Sequence, residues 1–304
     1  MEKKVAVVAI GGNSLIKDKA HQSCQDQYQA AKETAKHIVS MIRDGWEVVV
    51  GHGNGPQVGF LLQKAELAEK TIGMAMSPLD VCGAQSQGQI GYMLAQNLQN
   101  ELKVNGIAKT VACVLEQTVV DRDDPAFTHP TKPIGGFMTE AEAKAKASAE
   151  GWAVIEDAGR GWRRVVASPL PQEIVELEAI QTLVDAGIVT ISVGGGGIPV
   201  IRNEEGALKG VAAVIDKDFG SSLLARQLHA DLLVISTAVE KVAIHFGTPE
   251  QQWLDKMTLA EAKAYLEEGQ HFKSGSMAPK IQACIWFLEA GGKRSEDHTA
   301  KPAH

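Results

Sequence analysis

Three glycine clusters and three widely spaced lysines are the residues of this 304-residue chain whose types and spacing can do chemistry. The clusters are Gly11-Gly12-Asn13, Gly51-His52-Gly53-Asn54-Gly55 and Gly194-Gly195-Gly196-Gly197, and each follows a short apolar run. Glycine lets the backbone adopt φ > 0 and lets its N–H groups come close to an anion. A helix starting just beyond adds its positive end. One such cluster carries little weight, because a tight strand-to-helix turn needs glycine anyway. Three of them at strand ends argue for a phosphate site, since ligands of open α/β sheets bind at that edge. On this reading Gly195 and Gly196 join the first two loops in cradling phosphate.

The lysines supply cations. Lys217 lies in Ile215-Asp216-Lys217-Asp218, between an apolar run and a helix, and Lys280 lies in Gly275-Ser276-Met277-Ala278-Pro279-Lys280, also at a helix start. Lys132 lies in Pro130-Thr131-Lys132-Pro133. A lone lysine is usually a solvated surface charge. At the mouth of a glycine-rich site it has another use, because phosphoryl transfer needs cations around the transferred group and little covalent help from the protein. Asp216 and Asp218 either hold such lysines or a Mg²⁺ ion, or simply cap the next helix; the first role is assigned to Asp218 alone. His52 is expected to pack or hydrogen-bond rather than to move protons. The chain has no G-x-x-x-x-G-K-[ST], no G-x-G-x-x-G after a strand, no H-E-x-x-H and no G-x-S-x-G. These absences disfavour P-loop, dinucleotide-binding, zinc protease and α/β-hydrolase chemistry.

The elements that must position these groups alternate between β-branched runs and helical stretches, the pattern of a parallel sheet flanked by helices. Strands are expected at Val5–Ile10, Glu47–Val50, Thr110–Leu115, Ile188–Val193 and Leu232–Ser236. Helices are expected at Gln25–Arg43, after Pro56, over Val81–Leu102, Glu173–Ala186 and Phe219–Leu228, and from Pro279 to Glu289. Thr139 with Glu142 and Thr258 with Glu261 read as capping boxes. A hairpin is expected around Asn203–Gly206. Residues from about 121 to 168, rich in proline and glycine, interrupt the alternation and read as an inserted lid, because a structureless loop that long is uncommon in a compact domain.

Composition sets the outer bounds. Hydrophobic residues at 44% and charged residues at 22% exclude a wholly disordered chain, and aromatics at only 5% require an aliphatic core. A net charge of −7 argues against a broad nucleic-acid or anionic-membrane surface. The apolar run Val5–Ile10 is too short for a secretory signal, and no segment approaches the roughly 20 apolar residues of a membrane span. Cys24, Cys82, Cys113 and Cys284 form no C-x-x-C pair and read as reduced thiols of a cytoplasmic protein.

With these residues in view, the sequence resembles the carbamate kinases of the amino acid kinase superfamily. The matching stretches are AIGGN (Ala9–Asn13), GHGNGPQVG (Gly51–Gly59), SQGQIGYML (Ser86–Leu94), PTKPIG (Pro130–Gly135), EDAGRGWRRVV (Glu156–Val166), SVGGGGIPV (Ser192–Val200), AVIDKDF (Ala213–Phe219) and GSMAPKI (Gly275–Ile281). The glycine loops match the superfamily; PTKPIG and EDAGRGWR look like the carbamate kinase lid. The resemblance implies a single α/β domain, a three-layer αβα sandwich with a mainly parallel central sheet and a protruding lid. It places carbamoyl phosphate on an N-terminal half (about 1–187) and nucleotide on a C-terminal half (about 188–293).

It also implies a homodimer and the reaction ATP + carbamate ⇌ ADP + carbamoyl phosphate, with Mg²⁺ carried by ATP or ADP and a setting in arginine catabolism. By motif, Gly11, Gly12, Asn13, Gly53, Asn54 and Gly55 face the phosphoryl group and carbamate. Lys132 enters from the lid, Lys217 and Lys280 flank the phosphates, and Asp218 orients the lysines. Adenine and ribose lie near Thr237–Val242 and Gly275–Met277, which brings in Ser276 and Met277. The segment Arg294–His304 departs from the family pattern: it is polar and aperiodic where a strand, helix and closing strand are expected. Three rival readings stay open: a related kinase with another acceptor, a nucleotide-binding module that has lost activity, and a structural oligomer, which leaves the glycine loops unexplained.

Overall fold

The computed structural model describes residues 3–12, 15–16, 20–157, 159, 161–237, 239, 241–272 and 277–299, with side chains up to residue 295. Its first elements are β1 (Lys4–Ile10), α1 (Cys24–Arg43), β2 (Trp46–His52), α2 (Gly55–Ile72), α3 (Leu79–Val104), β3 (Val111–Cys113) and β4 (Gln117–Val120). There follow β5 (Lys132–Met138), α4 (Glu140–Glu150), β6 (Ala153–Glu156), β7 (Trp162–Val166), β8 (Pro171–Ile174), α5 (Leu177–Asp185) and β9 (Val189–Ile191). The chain continues through β10 (Ile198–Arg202), β11 (Leu208–Gly210), α6 (Lys217–Gln227), β12 (Leu232–Thr237), β13 (Val242–Ile244) and β14 (Gln252–Leu254). It ends with α7 (Leu259–Glu268), α8 (Met277–Glu289) and β15 (Arg294–Thr299).

Six strands pair in the order β15-β12-β1-β2-β9-β3, every pair parallel. Both faces of this sheet are covered, which is why its inner strands carry apolar runs such as Val5–Ile10, Val48–Val50 and Leu232–Ile235. Along β1 the side chains alternate: Ala6, Val8 and Ile10 join a core with Ala35, Ile38, Leu94 and Leu98 of α1 and α3. Val7 and Ala9 turn to the opposite core, with Ile180, Leu224 and Phe287 of α5, α6 and α8. The architecture is thus a three-layer α/β sandwich. β9, which follows residue 188 in the chain, is inserted between β2 and β3, so one continuous sheet spans residues on both sides of that position.

Both expected capping boxes form, at Thr139 with Glu142 and Thr258 with Glu261, and Ser23 with Asp26 makes a third. The helix expected over Glu173–Ala186 is shorter. Its first residues belong to β8, which pairs antiparallel with β4, and α5 begins only at Leu177. Tertiary pairing overrides local propensity there. The polar segment after Lys293 also differs from expectation. Arg294–Thr299 pairs in parallel with Leu232–Thr237 as the outermost strand. An edge strand is held through backbone N–H and C=O groups along one side, so it tolerates a polar sequence.

Residues between β4 and β8 fold as a unit, an antiparallel β5-β7-β6 sheet with α4 beside it. It docks on α2. Glu66 lies 3.6 Å from Lys146 and 3.7 Å from Arg164, and Lys70 lies 3.1 Å from Glu150. The closest approach is backbone to backbone: a Cβ on Gly59 would stand 2.7 Å from Gly135 Cα and 2.8 Å from its nitrogen. Backbone cannot swing aside as a side chain can. Gly59→Ala is therefore expected to cost about 1–3 kcal/mol through overpacking, and to raise amide hydrogen exchange over residues 132–166 ahead of the rest. Unchanged exchange and an unchanged Tm would show that the contact is not tight.

Candidate active site

Because β1, β2 and β9 are parallel neighbours, their glycine loops emerge at one edge of the sheet. The Gly53 N–H donates to the Ile10 carbonyl (2.9 Å), tying the second loop to the end of β1. Gly12 accepts from the Leu15 and Ile16 N–H groups at 3.0 and 2.9 Å. Gly11 sits where a Cβ would meet the Ser236 carbonyl at 3.3 Å, so the end of β12, including Thr237, borders the first loop. Gly55 opens α2, and Pro56 follows it within the first turn, where a missing N–H costs nothing. Asn54 precedes that helix without capping it. Its amide donates instead to Ser86 Oγ (2.9 Å), and the side chain is buried beneath Gly195, whose Cβ would overlap it.

The third loop is the tightest. Val193 has φ 53°, followed by Gly195 at 67°, Gly196 at 88° and Gly197 at 101°. Left-handed backbone at a β-branched valine is strained, and it persists only where the surroundings enforce it. A Cβ on Gly196 would meet the Ile215 and Asp216 carbonyls at 2.8 and 3.0 Å, and Gly220 of α6 packs against Gly196 Cα. The glycine turn thus carries the N-terminus of α6.

That helix start gathers all three lysines. Asp216 is its N-cap and accepts from the Asp218 N–H (2.9 Å). Its second oxygen takes Lys132 Nζ at 2.6 Å, reaching in from β5. Asp218 uses both oxygens, one for Lys217 and one for Lys280 Nζ at 2.9 Å from α8. The stem of Lys217 lies along the second loop: a Cβ on Gly53 would sit 3.2 Å from Lys217 Cδ and 3.2 Å from the Gly12 nitrogen. Asp216, to which the sequence reading did not assign the lysine-holding role it gave Asp218, is therefore both a cap and a lysine partner.

Burial alone would raise the Asp218 carboxyl, but the charges and hydrogen bonds of Lys217 and Lys280 reverse this and hold it at about 2. Lys217 is lowered as well, but here burial is the dominant cause. Burial weakens its ammonium, and Asp218 compensates only in part against the repulsion of Lys280. An arriving phosphate would restore what burial removes. His52 is buried, bonds the Gly53 carbonyl through Nδ1 at 3.2 Å, and is lowered to about 4 by burial. It is neutral near pH 7 and serves packing, as expected.

Val242 and Met277, both expected near the nucleotide, pack in one apolar cluster with Ile244, Phe272 and Ile281, beside Lys280 on α8. Thr237 Oγ1 donates to the Val239 carbonyl (2.8 Å) at the end of β12. Asn13 and Ser276 lie outside the described residues. Sequence reasoning did not assign roles to Ser86 and Gln87, although both lie in a matched stretch; it passed over Glu116 and Thr118, which no motif marks. Among the described residues no three His, Cys, Asp or Glu side chains gather to hold a metal ion.

Residues 4–295 match the model of the amino acid kinase family. A carbamate kinase of Thermococcus kodakarensis is 50% identical over 293 residues, covering 96% of this chain and 92% of the relative. The carbamate kinase-like protein YahI of Escherichia coli is 51% identical over 292 residues, covering 96% and 92%. The structure of Giardia lamblia carbamate kinase bound to AMP-PNP superposes with a TM-score of 0.90 at 41% identity, covering 99% of this chain and 94% of that one. N-acetylglutamate synthase from Neisseria gonorrhoeae, at 16% identity and a TM-score of 0.55 over 98% of this chain and 56% of its own, shares the fold alone. The chain belongs to the amino acid kinase family and stands within it among the carbamate kinases and carbamate kinase-like proteins.

Proposed function

We propose that this chain catalyses reversible phosphoryl transfer between ATP and carbamate, giving ADP and carbamoyl phosphate. One observation carries the reading: Lys132, Lys217 and Lys280 meet at the start of α6, over the glycine turns, in a chain half identical to carbamate kinases. Carbamate is already an anion, so no general base is needed to make the nucleophile, and a neutral His52 fits that economy. ADP and carbamoyl phosphate repel each other, and three ammonium groups offset that repulsion while the phosphoryl group is in transit.

In this mechanism Gly11, Gly12, Gly53, Asn54 and Gly55 present backbone N–H donors to carbamoyl phosphate. Gly195 and Gly196 hold the α6 N-terminus in place. Lys217 and Lys280 follow the transferred group, each kept in line by one oxygen of Asp218, and Lys132 closes on it from the unit at 121–168, which acts as a lid. Thr237, Val242 and Met277 border the nucleotide. Asp216 and Asp218 already hold ammonium groups, so Mg²⁺ fits best as a companion of the nucleotide phosphates, where it supplies charge neutralisation. The proposed setting is a cytoplasmic homodimer that makes ATP from carbamoyl phosphate produced in arginine catabolism.

Coupled ATP formation from ADP and carbamoyl phosphate with Mg²⁺, run beside an ADP titration, tests the reading. Turnover is expected. Binding of ADP without turnover would instead identify a nucleotide-binding module, and turnover only with another acceptor would identify a different kinase.

A further inference from the structure

Glu116, just before β4, is wholly buried, as are Thr118 and Gln87 around it. Gln87 binds the backbone of both segments: its Nε2 donates to the Glu116 and Gly194 carbonyls at 3.1 and 3.0 Å, and its Oε1 accepts from the Glu116 N–H at 2.9 Å. The Glu116 side chain lies against Gly197, where a Cβ would meet Oε1 at 2.9 Å. Thr118 Oγ1 stands 2.6 Å from Glu116 Oε1 and 3.2 Å from the Gly196 carbonyl.

A hydroxyl has one proton and can donate to one of these acceptors at a time. If Glu116 is a carboxylate, the threonine proton goes to it and the Gly196 carbonyl loses its donor. If Glu116 is the neutral acid, its own O–H donates to Thr118 Oγ1, and the threonine proton is free for Gly196. Glu116 Oε2 has no hydrogen-bond partner among the described residues, a state a neutral acid tolerates far better than a carboxylate. We propose that Glu116 is a positioning residue for phosphoryl transfer, which as the neutral acid fixes the Gly194–Gly197 turn, and through it the α6 N-terminus, by way of Thr118.

Burial raises the Glu116 carboxyl to about 8, the Thr118 hydrogen bond opposes this, and the Glu176 carboxylate at the start of α5 adds to it. Among the described residues, the other ionisable groups at the turn are His52 from β2, neutral near pH 7, and Asp216 at the α6 N-cap, followed by Lys217 and Asp218. α3 presents the uncharged Gln87, and from β10 Ile198 donates its N–H to the Glu116 carbonyl. The proposal rests on the phosphoryl-transfer reading for its kinetic arm only.

The test uses the direction from ADP and carbamoyl phosphate, so that carbamate supply does not change with pH. Thr118→Val and Glu116→Ala are expected to lower kcat at every pH by about tenfold or more, the cost of a misplaced catalytic frame. Glu116→Gln, whose amide donates like the acid but cannot ionise, is expected to rescue turnover and to lack the part of the alkaline decline centred near pH 8. Any decline from deprotonation of Lys217 persists in Glu116→Gln, so the difference between the profiles reports Glu116. Independently of turnover, the ¹³Cδ resonance of Glu116, assigned by its loss in Glu116→Gln, should titrate near pH 8 in the intact protein. A resonance titrating below pH 6, or superimposable pH profiles for parent and Glu116→Gln, would overturn the proposal.

Discussion

Lys217→Ala is expected to lower turnover by at least about 10²–10³-fold, the usual cost of removing one preorganised electrostatic donor, with the fold retained. The ammonium sits on Asp218, and its aliphatic stem lies against the Gly53 backbone, at the second glycine loop. Lys217→Arg should fail to restore activity, because a planar guanidinium is wider than the space beside Gly53. Steady-state kinetics with carbamoyl phosphate and ADP, together with circular dichroism, check both variants. Near-parental turnover in Lys217→Ala would remove this lysine from the mechanism.

Asp218→Asn is expected to reduce kcat about as strongly, for a different reason. The carboxylate keeps Lys217 and Lys280 in register through separate oxygens; a neutral amide leaves two ammonium groups repelling each other in a buried space. Because net positive charge rises, affinity for ADP should hold or improve while kcat falls by roughly 10²-fold. A rise in KM with kcat unchanged would instead make Asp218 a binding group.

The same substitution has an acid signature. The folded-state carboxyl is depressed from 3.8 to about 2 by its two lysines, against the opposing effect of burial. Its contribution to stability is therefore fully present above about pH 3.8 and is lost as pH falls through about 2. Asp218→Asn has no proton to take up, so the parent-minus-variant difference in Tm should shrink across that interval. A difference that stays constant with pH would mean that the ion pairs do not stabilise the fold.

Several features of the site follow from local sequence. The run Val5–Ile10 before Gly11-Gly12, the run before Gly51–Gly55 and the run before Gly194–Gly197 are short-range patterns, and all three became strands of one parallel sheet. Thr139 with Glu142 and Thr258 with Glu261 need only three residues to declare a helix start. Lysines at the edges of glycine-rich or proline-rich motifs stood out in the sequence as candidate cations, and the structure brings all three to the start of α6. Residues 173–174 were not legible as strand, because nothing in Gln172–Glu176 distinguishes a helix start from a strand until β4 is beside it.

What the sequence by itself determined was the alternation of strands and helices in the central sheet, the glycine loops that end three of its strands, and the residue types available there. Only the tertiary structure decided which carboxylate each lysine meets, since Lys132 and Asp216 are 84 residues apart and Lys280 and Asp218 are 62 apart. It also decided that Asp216 takes a lysine as well as capping, that a polar segment serves as an edge strand, and that Glu116 is shut away beside Gly197. Caps, turns and hydrophobic periods are set within a few residues of chain. Burial, proton affinity and ion-pair partners depend on what strand order and helix packing bring together from far along it.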